Sequence, residues 1–195
     1  MKPVLICTGL LFAVTTLMAQ QAPPMGMPPG PAGAHHRAPQ SPPATATATF
    51  AGKTVTITYS SPRVRGREGK IFTKDGLISH DPHYPVWRAG ANAATTLKTD
   101  GDIMLGDLHV PAGTYTLFVD ISNPAQWMLI VSKATGEWGL SYDPAKDLGK
   151  TAMSMSKPSA MVEDLTYTLT DDGGGKGTLK LEWEDMSASV RLTAH

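Results

Sequence analysis

The chain has 195 residues, with 17 Lys and Arg against 17 Asp and Glu, so it carries no formal net charge when its histidines are neutral. That balance gives no support for nucleic acid or an anionic membrane as partner, and any anion binding has to be local. Cys7 is the single cysteine. It falls in an expected leader, which sets aside disulfides, thiolate catalysis and cysteine-based metal sites for the mature protein.

The leader comes first in the chain. Lys2 supplies a positive start, Val4–Met18 is mostly apolar, and Ala19-Gln20 offers a small residue where a signal peptidase would cut. The apolar run is shorter than the roughly 20 residues a spanning helix needs. Residues 1–19 therefore read as a signal peptide, with no integral membrane segment after cleavage and a periplasmic or secreted destination. Ile6 is too bulky before a lipidated cysteine, which argues against a lipoprotein. Removing Lys2 with the leader leaves 16 basic against 17 acidic residues.

Residues 20–44 form a low-complexity linker in which prolines recur from Pro23 to Pro43 among Ala, Gly, Met and Gln. Such a composition cannot bury a core and is expected to be disordered or polyproline-like. Met25, Met27, His35 and His36 carry thioether and imidazole groups of the kind that suit copper, but nothing fixes a geometry for them. The plainer reading is that they are incidental to the linker.

Residues 45–195 are long enough to bury a substantial core as one domain. The first strand pattern is Val55, Ile57 and Tyr59 alternating with Thr56 and Thr58. Directly behind it runs Ser60-Ser61-Pro62-Arg63-Val64-Arg65-Gly66-Arg67. Three arginines at every second position project to one side if the backbone stays extended, while Gly66 lets the chain turn. Guanidinium groups are always charged and present a rigid fork that matches carboxylate, sulfate or phosphate. Several together need an anion nearby. That anion is either a ligand or a set of protein carboxylates, such as Glu68, Asp75 or Asp81, that would make the run a structural brace.

His80-Asp81-Pro82-His83 gathers two imidazoles and a carboxylate, a candidate zinc or iron site that needs a further ligand from elsewhere. Pro82 makes a helix there improbable, and the alternative is a turn with solvent-facing histidines. Pro85-Val86-Trp87-Arg88-Ala89-Gly90-Ala91-Asn92 follows. Trp87 could stack on a planar group while Arg88 and Asn92 fix polar atoms; otherwise Trp87 packs the core and Gly90 and Asn92 serve a tight bend.

The rest of the chain is β-patterned almost throughout. Gly106-Asp107 divides Ile103-Met104-Leu105 from Leu108-His109-Val110, and Pro111-Ala112-Gly113 suggests a type II turn. Tyr115, Leu117 and Val119 alternate with Thr114, Thr116 and Phe118, and Asn123-Pro124 breaks the run. Trp127–Val131 is apolar on both faces, as in a central strand buried on each side. Leu165, Tyr167 and Leu169 alternate next, Asp171–Gly177 reads as a glycine-rich hairpin loop, and Leu179, Leu181, Trp183 and then Ala188, Val190, Leu192 complete the series. Trp127, Trp138 and Trp183 are assigned to core or strand surface. No long helical period and no internal repeat is present. The expected fold is all-β, an antiparallel β-sandwich of jelly-roll or immunoglobulin-like type.

Standard catalytic signatures are missing: there is no G-x-S-x-G and no H-E-x-x-H. Gly52-Lys53-Thr54 and Gly149-Lys150-Thr151 resemble the end of a phosphate-binding loop, but Thr47 and Pro144 stand where its leading glycine belongs. No cofactor is expected.

Taken in order, Ser61–Arg67, Val86–Asn92, Pro111–Phe118, Trp127, Trp138-Gly139 with Ser141-Tyr142-Asp143, and Leu181-Glu182-Trp183-Glu184 resemble the bacterial family catalogued as domain of unknown function 2911. The resemblance spans essentially all of residues 45–195. It implies exported proteins, mostly single β domains, with no established activity to carry over. Relatives often place an acidic residue after the asparagine, where this chain has Ala93, so an acid catalyst at that position is not available. The functional expectation is a non-enzymatic domain that receives a small anionic or sugar-like ligand through Arg63, Arg65, Arg67, Trp87, Arg88 and Asn92. The alternatives are a hydrolase or isomerase using His80 or His83 as base with arginine stabilisation, and a purely structural or interaction module.

Overall fold

The computed structural model describes residues 40–194. The expected leader, most of the expected linker and the Met25, Met27, His35 and His36 group lie outside the described residues.

Thirteen strands lie among the described residues. In chain order they are β1 (Pro43–Phe50), β2 (Lys53–Ser60), β3 (Val86–Trp87), β4 (Thr95–Thr99), β5 (Ile103–Leu105), β6 (Leu108–Val110), β7 (Gly113–Asp120), β8 (Met128–Ser132), β9 (Asp147–Ala152), β10 (Ser154–Ser156), β11 (Val162–Gly173), β12 (Lys176–Glu184) and β13 (Met186–Ala194). Only two short 3-10 turns, Ile78–His80 and Pro144–Lys146, interrupt the pattern. The first sheet has the order β1-β2-β4-β7-β8-β9, with β3 also on β7. The second has the order β11-β12-β13-β5-β6, with β10 also on β13. Every pairing is antiparallel. The domain is a β-sandwich, as the alternating pattern predicts. Pairing begins at Pro43, ahead of the Thr45 boundary expected from composition.

The period-two residues do what that period requires. Val55, Ile57 and Tyr59 of β2, Leu165 and Tyr167 of β11, Leu179, Leu181 and Trp183 of β12, and Ala188, Val190 and Leu192 of β13 all face one shared core. Trp87, Trp127, Trp183 and Phe72 meet in that core. Trp87 stacks on Trp183 with centroids 5.9 Å apart and rings 16° from parallel, and Phe72 sets its edge against both at 5.6 and 5.8 Å.

The two-sided burial of Trp127–Val131 has a physical reason. Leu129 and Val131 face the shared core, while Ile130 is equally buried on the other face. There Phe118, its partner across the β7–β8 pair, is covered by the ring of Tyr142 at 4.8 Å. The Tyr142 hydroxyl donates to Asp147 Oδ2 at 2.8 Å, and burial pushes both groups above their usual pKa ranges. The segment before β9 thus acts as a lid on the outer face of the first sheet.

Two turn expectations are corrected. The glycine-rich loop is tighter than Asp171–Gly177, because the strands continue to the pair Gly173↔Lys176 and the turn is Gly174-Gly175 alone. Both glycines have positive φ, 61° and 77°, as a type I′ hairpin demands. At Pro111-Ala112-Gly113 no residue has positive φ, which rules out type II. The chain there crosses from β6 in one sheet to β7 in the other, and Asp102 Oδ1 accepts the Ala112 N–H at 3.0 Å to hold that corner.

Candidate functional site

The segment that leaves β2 docks on the second sheet. Leu165 donates its N–H to the Pro62 carbonyl at 2.9 Å, Val64 donates to the Glu163 carbonyl at 2.9 Å, and Ser61 Oγ donates to the Leu165 carbonyl at 2.7 Å. Arg63 bridges to Asp164 through the backbone, and its Nε meets the Asp164 carboxylate at 2.6 Å. Beyond Val64 the chain is not extended. Arg65 and Gly66 both have left-handed φ, 53° and 68°, and Arg67 N–H returns to the Val64 carbonyl at 3.2 Å. The one-sided projection expected of an extended run therefore fails. The turn nevertheless brings Arg63, Arg65 and Arg67 to the same place by folding the run back.

Three acidic residues of β11 and β12 secure this loop. Asp164 takes Arg63, Glu163 Oε1 accepts the Arg65 N–H at 3.0 Å, and Glu184 Oε1 accepts the Gly69 N–H. Glu68 and Asp75, the nearby carboxylates the sequence offers, make no salt bridge among the described residues. Arg65 Nη2 donates to the Gln40 carbonyl at 3.2 Å, and Arg67 donates through Nε to Val64 O and through Nη2 to Arg63 O, at 2.9 and 2.5 Å.

The second arginine source is the Trp87–Asn92 bend. β3 pairs with β7 through Val86↔Asp120 and Trp87↔Val119, which points Trp87 inward, where it is 1% exposed. Arg88 then faces Asp81, with Nε 3.7 Å from Oδ2. Ala89 and Asn92 take left-handed φ of 48° and 58°. The Ala89 carbonyl accepts from the Thr95 and Tyr167 hydroxyls at 3.2 and 3.0 Å, and the Asn92 carbonyl accepts from Gly139 N–H at 3.2 Å.

These pieces enclose a cleft of about 590 Å³. The arginines of both segments line it, together with Asp81, Trp87 and Trp183. Since both indoles are almost wholly buried, they form the floor. Asn92 is not among the lining residues; it is exposed and acts through its backbone in the bend. Trp87 lines the cleft but has one face against Trp183 and its surface closed off, so it offers no open face for stacking. Leu140, Leu77 and Ile78 line the cleft without having been named as site residues from the sequence, and Trp183, expected in the core or on a strand surface, lies in the core and lines the cleft as well. Leu140 is set in place by its carbonyl, which lies 2.9 Å from His83 Nε2, and by Tyr142 two residues on.

The histidine cluster divides. His80 lines the cleft, whereas the His83 ring is turned to Leu140. Asp81 Oδ1 accepts the His83 N–H at 3.2 Å, and its side chain is only 5% exposed. Among the described residues no three His, Cys, Asp or Glu side chains are grouped to hold a metal ion.

Glu184 has its own consequence for pH. Burial raises its carboxyl above the usual glutamate range; the Gly69 N–H opposes this and the neighbouring Asp185 and Glu68 charges add to it. A carboxyl raised in the folded state binds its proton more tightly than in the unfolded chain. Its contribution is therefore most favourable below the ordinary glutamate pKa and declines as pH rises through the shifted value. Glu184→Gln keeps the oxygen that accepts from Gly69 and removes the charge. Its melting temperature should exceed that of the parent by a few degrees at pH 7, and the advantage should vanish by pH 4. A variant that melts lower at pH 7 would contradict this.

A two-sheet antiparallel sandwich with an arginine-lined cleft is thus the class of protein that the fold and site define. A family model described as protein of unknown function (DUF2911) matches residues 41–192, and the chain belongs to that family. No curated protein and no solved structure matches it.

Proposed function

We propose that the cleft binds a small anionic ligand without transforming it. The observation that carries this reading is the charge around the cavity: four guanidinium groups from two separate segments line it, and Asp81 is the lone lining carboxylate. Each arginine makes protein contacts through only part of its five-donor fork. Against the described residues, N–H donors are left over on every one. The bracing reading accounts for the contacts that are made, and the ligand reading for the donors that are not.

A sugar stacked on Trp87 fits less well, since that ring has no free face. His80 on the cleft wall favours a second reading, a hydrolase or isomerase with His80 as base. A general base needs a positioned ring. Among the described residues no hydrogen bond orients that imidazole, so binding is the better fit. Export to the periplasm or cell exterior belongs to the same proposal and rests on Lys2 and the apolar Val4–Met18 run.

Titration calorimetry with inorganic phosphate and sulfate tests the reading. Arg65→Gln suits the purpose because it keeps a side chain at a left-handed position while deleting the charge. Losing a charge-assisted hydrogen bond should weaken binding by about tenfold or more, and added salt should weaken it further. A folded Arg65→Gln protein that binds phosphate as tightly as the parent would sink the proposal.

A further inference from the structure

The geometry points to an organic anion as the occupant: an oxyanion head carried on an apolar body, rather than a bare inorganic ion. This rests on the anion-binding reading above and specifies its ligand class. A cavity of about 590 Å³ lies within the roughly 300–1,000 Å³ range of sites for drug-sized molecules. One phosphate or sulfate held by the arginines would leave most of it unfilled.

The lining is also mixed in character. The arginines of the 63–67 turn and Arg88 supply positive charge, while Leu77, Ile78, Leu140 and the two indoles supply apolar groups. Leu77 is 38% exposed, one of the few large apolar side chains among the described residues left so open. A lining with cationic and apolar members suits a ligand with both characters, because an apolar body gains from leaving water only where it meets apolar surface.

Beneath the cleft, Trp183 is 2% exposed, and among the described residues its indole Nε1, itself buried, has no hydrogen-bond partner. Buried polar groups are ordinarily satisfied, so this indole is held by packing alone. The same indole gives a reporter, since an occupant of the cleft would change the surroundings of Trp87 and Trp183 and so their emission.

The test is a titration of the full chain with inorganic phosphate, phenyl phosphate, 1-naphthyl phosphate and neutral 1-naphthol, followed by calorimetry and tryptophan fluorescence. Affinity should rise by about tenfold or more from phosphate to naphthyl phosphate, the gain expected from burying an aromatic body, with altered emission. Leu77→Ser, at a part-exposed position that spares the core, should weaken naphthyl phosphate more than phosphate. Arg65→Gln should weaken both anions. Naphthyl phosphate binding no tighter than phosphate, with both weakened by Arg65→Gln, would overturn the organic-anion inference and leave anion binding intact. Naphthol binding as tightly as naphthyl phosphate, or no binding of any anion, would overturn both.

Discussion

Trp87→Ala should lower the melting temperature by roughly 10 °C, the largest loss expected from any single side-chain truncation at the cleft. Truncating a buried tryptophan costs about 3–5 kcal/mol, and about 2–4 °C accompanies each kcal/mol in a domain of this size. Three features place Trp87 at the top of that range. It is fully enclosed, it stacks on Trp183, and it meets Phe72 and Trp127 edge-on at 5.6 and 6.2 Å. Removing it opens a cavity among large rigid rings, which cannot relax inward as aliphatic chains do. Trp87→Phe should recover most of the loss. Thermal unfolding followed by circular dichroism decides the matter, and an alanine variant melting within about 3 °C of the parent would show that the ring cluster contributes little.

Gly177→Val should be comparably damaging for the opposite reason. Gly177 sits in β12 between Asp171 and Leu192 on its neighbouring strands. A Cβ there would lie 2.2 Å from the Phe50 ring and 2.3 Å from the Thr170 carbonyl oxygen. Phe50 is fully buried at the end of β1, so the ring has nowhere to retreat. Overpacking of this kind costs about 1–3 kcal/mol and occasionally more, and a backbone oxygen in the clash puts this site at the upper end. Pairing Gly177→Ala with Phe50→Leu should restore part, but not all, of the stability lost in Gly177→Ala. Strict additivity in that double-mutant cycle would mean that the two residues do not share the space.

Much of the fold was legible because a half-buried strand writes itself as a period of two. Val55-Ile57-Tyr59 and Leu179-Leu181-Trp183 needed no other signal. The site was legible in part. The arginine run needs an anion nearby and the Trp87-Arg88 pair joins a ring to a charge, and both line the cleft. Trp183 and Leu140 gave no such sign, because an apolar residue in a strand or loop looks the same under a cleft as under a sheet. Glu163, Asp164 and Glu184 were invisible as partners of the arginine loop, since they lie about 100 residues further along the chain and leave no local trace. Residue type also misled at Arg65 and Asn92. Nothing in arginine announces a left-handed backbone, while asparagine tolerates one readily, and at Asn92 that backbone role prevailed over a role for the side chain.

The loop that carries Arg63, Arg65 and Arg67 is also the strap that fastens the end of β2 to β11 and β12. Its residues answer to two demands at once, so they have little freedom to change with a new ligand without loosening the join between layers. Leu77, His80 and Leu140 line the same cleft, and among the described residues their side chains make no hydrogen bond or ion pair. Diversification of what the cleft accepts should therefore accumulate at those three positions, with the arginines held fixed as common chassis.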